Sequence, residues 1–405
     1  MGKINSTKSA VYCLSLIALI VSYNQASVID VKTEGAKGDG VTNDTPAIMN
    51  AWKKACAGAP PSSLLLPPGT YMAFPPFVLS GPCKGPIEIK ATGATIKAPP
   101  ELEKFQSTDT WIRINYIDRL TMTGGTFDGQ GRGSWRNANC KNCLKPVNLG
   151  LGFVKNSLFK DITSINSKYF HIHMQGCDNT KLEHLTLDAP ADSVNTDGIH
   201  IGPTNGLNIT NSIIKTGDDC ISFGDGSTNI RVEKVTCGPG HGISVGSLGK
   251  NPNEKPVERI WIKNCTIVGT DNGVRIKTWP GSYPGKVNDV HFEDIVMDKV
   301  ANPIIIDQNY CAGRVCQKNV PSQVKITNVS FRNIKGTSRT QVALKLNCSA
   351  GSPCDNVELA DINLTYSGGQ VTASSRCANV KPKLVGQIIP PACPVNVPKP
   401  YNSLM

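Results

Sequence analysis

Apolar and polar positions alternate along short stretches of this chain, and the stretches recur. The unit is apolar, any residue, apolar, two residues that often include Asn or Asp, then apolar again. It appears at Leu120-Thr121-Met122, at Leu158-Phe159 with Ile162, at Leu182 with Leu185, and at Leu207-Asn208-Ile209. It returns at Ile230-Arg231-Val232 with Val235, Ile260-Trp261-Ile262 with Cys265, and Val290-His291-Phe292 with Ile295. The last copies are Val329-Ser330-Phe331 with Ile334 and Val357-Glu358-Leu359 with Ile362. Alternation of this kind marks strands rather than helices. The steps from Leu182 to Ile209 and from Ile209 to Val232, 27 and 23 residues, fall in the range of repeat arrays. A single unit cannot bury its apolar side, so the units must stack. The expected fold is all-β: a right-handed, single-stranded parallel β-helix with loops of unequal length on one face. A β-propeller fits less well, because the units are too short for four-strand blades and lack their signatures.

The pattern changes at both ends. Val28 to Val31 reads as a short strand and Gly35 to Asp44 as a loop. A capping hydroxyl at Thr45 and Pro46 in the first turn open a helix to about Cys56. Ile48, Trp52 and Ala55 lie on one of its faces, so it should plug one end of the coil. Leu64-Leu65-Leu66 is a buried strand that runs into a turn. From about Gln370 the chain is rich in Pro and Cys, and Cys377 with Cys393 could staple this tail back as a cap. The first residues carry Lys3 and Lys8, an apolar run from Ala10 to Val21, then small and polar residues. That is the form of a secretory signal, and the run is short for a membrane span. Residues 1–26 are therefore expected to be a signal peptide and 27–405 a single catalytic domain. The myristoylation pattern at Gly2 and Ser6 is discounted, since the apolar run behind it directs the chain to secretion.

Composition supports this picture. Lys and Arg outnumber Asp and Glu 42 to 31, a balance of +11 that stays basic at +9 without Lys3 and Lys8; it favours polyanionic partners. Of 15 cysteines, Cys13 leaves with the signal, and the remaining 14 read as disulfides in a secreted chain. Cys140/Cys143, Cys311/Cys316 and Cys348/Cys354 could close small loops. Asn43, Asn208, Asn264, Asn328, Asn347 and Asn363 head glycosylation sequons.

Candidate chemistry is concentrated between Asn195 and Lys277. Asp197, Asp219 and His241 follow one another at intervals of 22 residues, one coil each, which should place them in a column about 4.8 Å apart per step. Asp218 joins them only if the backbone bends, since neighbours on a strand face opposite sides; Gly217 permits such a bend. Crowded carboxylates cannot all ionise cheaply, so at least one should have a raised pKa and donate a proton while others activate water. A calcium site is the rival reading of the same acids. Arg275 and Lys277 are two apart on a strand and face the same way, a pair able to clamp substrate carboxylates. Asp188, Asp225 and Asp271 read as turn or cap residues. His171, His173, His184, His200 and His291 read as structural.

The segments Asn195-Thr196-Asp197-Gly198-Ile199-His200-Ile201, Gly217-Asp218-Asp219-Cys220, Gly240-His241-Gly242 and Arg275-Ile276-Lys277 occur in an order and spacing that resemble the polygalacturonases of glycoside hydrolase family 28. The likeness runs from the Val28 opening to the cysteine-rich tail. It implies a parallel β-helix that cleaves the α-1,4-galacturonan of pectin with inversion and without a metal or other cofactor. It also implies Asp218 as general acid, Asp197 and Asp219 as the pair that activates water, and His241 as the group that keeps the acid protonated. Asn195, Arg275, Lys277 and Tyr310 match substrate-binding positions. Overall similarity is to pollen-type exopolygalacturonases of plants, which implies release of galacturonate from non-reducing ends. Loops at Asp128 to Val147 or Leu248 to Pro256 could then block one end of the cleft. Endo cleavage, a calcium-dependent lyase using Arg275 as base, and a non-catalytic pectin-binding wall protein are the other readings. A monomer acting on pectin in the cell wall is expected, with no nucleic-acid or membrane partner.

Overall fold

The computed structural model describes residues 27–106, 108–135, 144–312, 316–317, 319–369 and 371–393. The expected signal segment and the Cys140/Cys143 pair lie outside the described residues. The chain winds as a right-handed parallel β-helix, as the sequence pattern predicts. Among the described residues, twenty strands form one sheet and eleven the other.

Each copy of the repeat stacks on the next in the larger sheet. The ladder runs Met122, Phe159, Leu182, Ile209, Val232, Ile262, Phe292, Phe331, Leu359. These side chains point inward and are almost entirely buried. A fully buried residue of this size contributes about 1.5–3 kcal/mol, so the stack is the main cohesive element. The Phe292 and Phe331 rings lie parallel with centroids 5.1 Å apart. The polar residue of the repeat has its own cause. Asp161, His184, Asn211, Lys234, Asn264, Asp294, Asn333 and Asp361 each stand at a corner of the coil, either between two strands or at a bend within one, with φ between 47° and 58°. Asn and Asp tolerate this left-handed conformation better than most residues.

Helix α1, Thr45–Ala57, covers the first coils with Ile48, Ala51, Trp52 and Ala55 buried. Trp52 Nε1 donates to the Ser80 carbonyl at 3.0 Å, and Cys56 is bonded to Cys83. The predicted capping hydroxyl is not one. Asp44 holds the N-cap position and no side chain caps the helix. The Thr45 hydroxyl instead donates to the carbonyl of Phe74 and accepts from its N–H, at 3.0 and 2.7 Å. The Asp44 carboxylate turns back to accept from the Lys37 and Gly38 N–H groups. The loop preceding the helix claims the Asp44 side chain, and the segment at Phe74, beyond the helix, claims that of Thr45. At the other end Cys377 is bonded to Cys393, as the tail-staple reading requires. Cys311–Cys316 and Cys348–Cys354 are also formed. Cys177 and Cys265 depart from the disulfide expectation. Both are buried free thiols, facing the interior where no second cysteine meets them among the described residues. No helix among the described residues is long and apolar enough to cross a membrane.

The smaller sheet carries the site. Its strands are β1 (Phe77–Ser80), β2 (Thr110–Asn115), β3 (Val147–Gly152), β4 (Ile172–Gln175), β5 (Ile199–Ile201) and β6 (Ile221–Phe223). They continue with β7 (Ile243–Leu248), β8 (Asn272–Thr278), β9 (Asn302–Asp307), β10 (Val342–Asn347) and β11 (Ser374–Ala378). All pair in parallel in chain order.

Candidate active site

Strands β5, β6 and β7 pair with Ile199 opposite Ile221 and Ile221 opposite Ile243. That register is one coil of 22 residues, so Asp197, Asp219 and His241, each two residues ahead of these isoleucines, enter the sheet one above another. The polar outward positions of the next rungs support them. Ser222 donates to Asp197 Oδ2 at 2.8 Å, and Ser244 donates to Asp219 Oδ1 at 2.8 Å. The second contact of Ser222, at 2.7 Å, is His200 Nδ1.

Asp218 reaches the same cleft because residues 217–219 lie outside regular strand. The reason differs from the expected one. Gly217 is not in the left-handed region; a Cβ there would collide with the Ser193 carbonyl of the coil below. The glycines beside His241 do need their freedom. Gly240 has φ +135° and Gly242 φ +86°, and a Cβ on either would collide with backbone carbonyls of Asp218 or Asn272. The backbones are thus drawn together until the His241 N–H donates to the Asp218 carbonyl at 2.8 Å. Their side chains meet as well, with His241 Nδ1 2.9 Å from Asp218 Oδ1. The Cys220–Cys237 disulfide anchors the end of this turn to the coil wall.

Arg275 and Lys277 project from β8 on one face, as their spacing requires. Both are nearly buried and both are joined to Asp219: Arg275 Nη2 to Oδ1 and Lys277 Nζ to Oδ2, each at 2.6 Å. Tyr310 lies over the pair, with Lys277 Nζ 5.1 Å and Arg275 Cζ 5.7 Å from its ring centre. Asn195 lines the cleft beside Asp197. Asn195, Asp197, Asp218, Asp219, Lys277 and Tyr310 thus line one cleft of about 200 Å³, and His241 and Arg275 are joined to it through Asp218 and Asp219.

The acids are unlike one another. Burial, followed by the charges of Asp218 and Asp219, pushes the Asp197 carboxyl well above the usual range. Burial would do the same to Asp219, but the Lys277 and Arg275 charges outweigh it and hold that carboxyl at about 2. The bond to Asp218 raises the pKa of His241 against the effect of its burial. One carboxyl is thus made less acidic, one more acidic and one imidazole more basic within a single patch.

Several site residues escape the sequence reading. Tyr169 and Phe170 form the N-terminal border of the cleft, stacked on each other at 4.0 Å, and His200 stacks on Phe170 at 4.7 Å. They belong to the loop before β4, and nothing in their local sequence marks them. His200 is half-buried and lines the cleft, not the purely structural residue expected. Asp271, read as a turn residue, has Oδ2 3.6 Å from His241 Nε2 and is paired with Arg339. Of the two candidate blocking loops, the first lies partly outside the described residues. The second places Lys250 5.6 Å over the Trp279 ring, which in turn meets Tyr310 edge-on at 5.8 Å.

Asp218, Asp219 and His241 offer ligand atoms within 4.8 Å of one another. A divalent cation fits them poorly, because Lys277 and Arg275 already occupy both oxygens of Asp219 and would repel it. Carboxyl groups of differing acidity in an open polar cleft on a parallel β-helix define a protein equipped for acid–base work on a large polar ligand. Comparison with known proteins gives the family. Residues 56–388 match the model of the glycosyl hydrolases family 28. A polygalacturonase of Gossypium barbadense is 48% identical over 396 residues, 96% of each chain. An exopolygalacturonase of Oenothera organensis is 51% identical over 357 residues, 87% of this chain and 98% of that one. Among solved structures, the endo-xylogalacturonan hydrolase from Aspergillus tubingensis aligns with TM-score 0.74 at 23% identity, over 89% of this chain and 100% of that one. The polygalacturonase from Erwinia carotovora aligns with TM-score 0.70 at 23% identity, over 90% and 99%; both likenesses concern the fold. The chain belongs to glycosyl hydrolase family 28, and its resemblance to the polygalacturonases holds over nearly its full length.

Proposed function

We propose that this protein hydrolyses the α-1,4-galacturonosyl bonds of polygalacturonate with inversion, removing galacturonate from non-reducing ends. The observation that carries the reading is the gathering in one cleft of an Asp197 carboxyl made less acidic, an Asp219 carboxyl made more acidic, and Asp218 held 2.9 Å from His241. Hydrolysis of a glycosidic bond with inversion needs an acid at the leaving oxygen and a base for water on the opposite face of the sugar. Asp218, the least buried of the three acids, gives its proton to the leaving oxygen. His241 keeps a proton stored against it. Asp197 takes the proton from water: a carboxylate whose pKa is raised is the stronger base once ionised. Asp219, permanently anionic, shares in orienting the water and fixes Arg275 and Lys277 at the cleft floor. Those cations, with Asn195 and Tyr310, then meet the substrate carboxylate and ring.

Exo action is supported by the names of the relatives from Oenothera organensis, Platanus acerifolia and Arabidopsis thaliana, all exopolygalacturonases. The aromatic border at Tyr169 and Phe170 supports it too, since it narrows the cleft on one side. Secretion to the cell wall, the signal at 1–26, a single domain over 27–405, a monomeric state and independence of metal are part of the same proposal. Asp218→Asn tests it. The variant should keep its fold and lose about 10²–10⁴-fold in reducing-end release from polygalacturonate. Near-normal turnover in a folded variant would end the assignment of Asp218.

A further inference from the structure

The outward positions of the smaller sheet form a continuous column along the cleft. From β2 to β8 the register runs Arg113, Gly150, His173, His200, Ser222, Ser244, Arg275. It does not stop at Arg275. The pairing continues through Ile305 on β9 and Lys345 on β10 to Arg376 on β11. At about 4.8 Å per rung, Lys345 and Arg376 stand two and three steps beyond Arg275 on the same line.

The two halves of this column differ in charge. On the N-terminal side the cation is already neutralised, since Arg113 Nη2 lies 2.7 Å from Asp109 Oδ1. Burial lowers the pKa of His173 there, and the Phe170 ring meets it edge-on at 6.2 Å. On the C-terminal side Lys345 is half-buried and Arg376 exposed, and neither has an ion pair or hydrogen bond among the described residues. The single carboxylate on β9, β10 and β11, Asp307, lies in the neighbouring column and accepts from the Asn309 N–H at 3.1 Å and from Asn347 Nδ2 at 3.4 Å. Unpaired cations at rung spacing suit a ligand that carries a negative charge at each short repeat. An acidic polysaccharide in extended form is such a ligand, as one sugar advances by about one rung.

We propose that Lys345 and Arg376 form a distal track for substrate carboxylates, so that the uncleaved tail of the polymer lies along the C-terminal half of the face. The inference rests on the reading that the cleft takes a galacturonate polymer. It adds a length dependence that this reading does not contain. The track holds the tail and takes no part in bond cleavage.

Binding in an inactive background tests it. Galacturonate oligomers from trimer to hexamer are titrated calorimetrically into Asp218→Asn and into Asp218→Asn carrying Lys345→Glu and Arg376→Glu, at low and at high salt. In the first protein affinity should rise with length and the rise should fade in high salt. Charge reversal should leave trimer binding intact and weaken hexamer binding by roughly three- to tenfold, the range for two exposed ion pairs. Equal hexamer affinity in the two proteins overturns the track. Absence of binding by any oligomer overturns both the track and the galacturonate reading. Length-dependent, charge-sensitive binding together with no cleavage by the wild type leaves the track standing and removes the hydrolase.

Discussion

At the scale of single residues, the site depends on keeping charges unequal at short range. Asp219 is the counter-ion of two nearly buried cations. Asp219→Asn strands them without a partner, and breaking a buried pair in this way costs about 3–5 kcal/mol. Urea unfolding should therefore show a large loss for Asp219→Asn and almost none for Asp218→Asn, although both abolish activity; equal stabilities would refute the pairing. The pH profile of kcat/KM follows from the same shifts. As pH falls, Asp197 takes up a proton at a pKa raised by burial and by its acidic neighbours, and the base is lost. The acidic limb should thus lie above the ordinary Asp value of about 3.9. As pH rises, the His241 proton leaves at a pKa raised by the bond to Asp218. His241→Gln should lower kcat and remove that alkaline limb. An unchanged limb would assign it to another group.

At the scale of the strand and its turns, the sequence was informative where geometry repeats and silent where it does not. The inward ladder and the left-handed corners are written in each copy, because every coil solves the same packing problem. The column of Asp197, Asp219 and His241 was readable from equal spacing, and the common face of Arg275 and Lys277 from strand alternation. Their attachment to Asp219 was not, since it depends on how close two coils come. Tyr169 and Phe170 escape the sequence reading because a loop of irregular length carries them to the cleft, whereas His200 stands on β5 and its place in the cleft depends on the Phe170 ring that stacks on it. Thr45 was misread because a distant backbone at Phe74 competes for its hydroxyl. Two substitutions check the local account. Gly240→Ala must displace the Asp218 carbonyl or His241, so it should reduce kcat sharply while the β-helix CD spectrum persists; full activity would contradict the close approach. Asn333, at φ 47° with Nδ2 2.7 Å from Asp294 Oδ1, should cost about 1–2 kcal/mol on change to Ala. Change to Gly should cost less, as glycine reaches that conformation freely, and the opposite order would refute the corner assignment.

At the scale of the whole molecule, the stacked coil encloses His171 fully and His200 in part, and no catalytic step uses either. Burial lowers His171 to about 3 and His200 to about 4. Their unfolded values lie near 6.5, so between these limits the unfolded chain binds protons that the folded one refuses. Stability is full above about pH 6.5 and declines as pH falls toward 4, at up to about 1.4 kcal/mol per pH unit for each histidine. Asp197 acts in the opposite sense, because its raised pKa favours the folded state as it protonates. Two histidines outweigh one acid over most of the window, and the thermal midpoint should drop between pH 6.5 and 4; a midpoint that rises would contradict this balance. The same coil brings acids from separate turns into one pocket, and the chemistry of that pocket is the central claim. Proton NMR of trigalacturonate during the first minutes of digestion tests it most directly. The account predicts monomer and dimer from the outset, with the newly released reducing end first in the β configuration. A first-formed α anomer, an unsaturated product or no cleavage would contradict it.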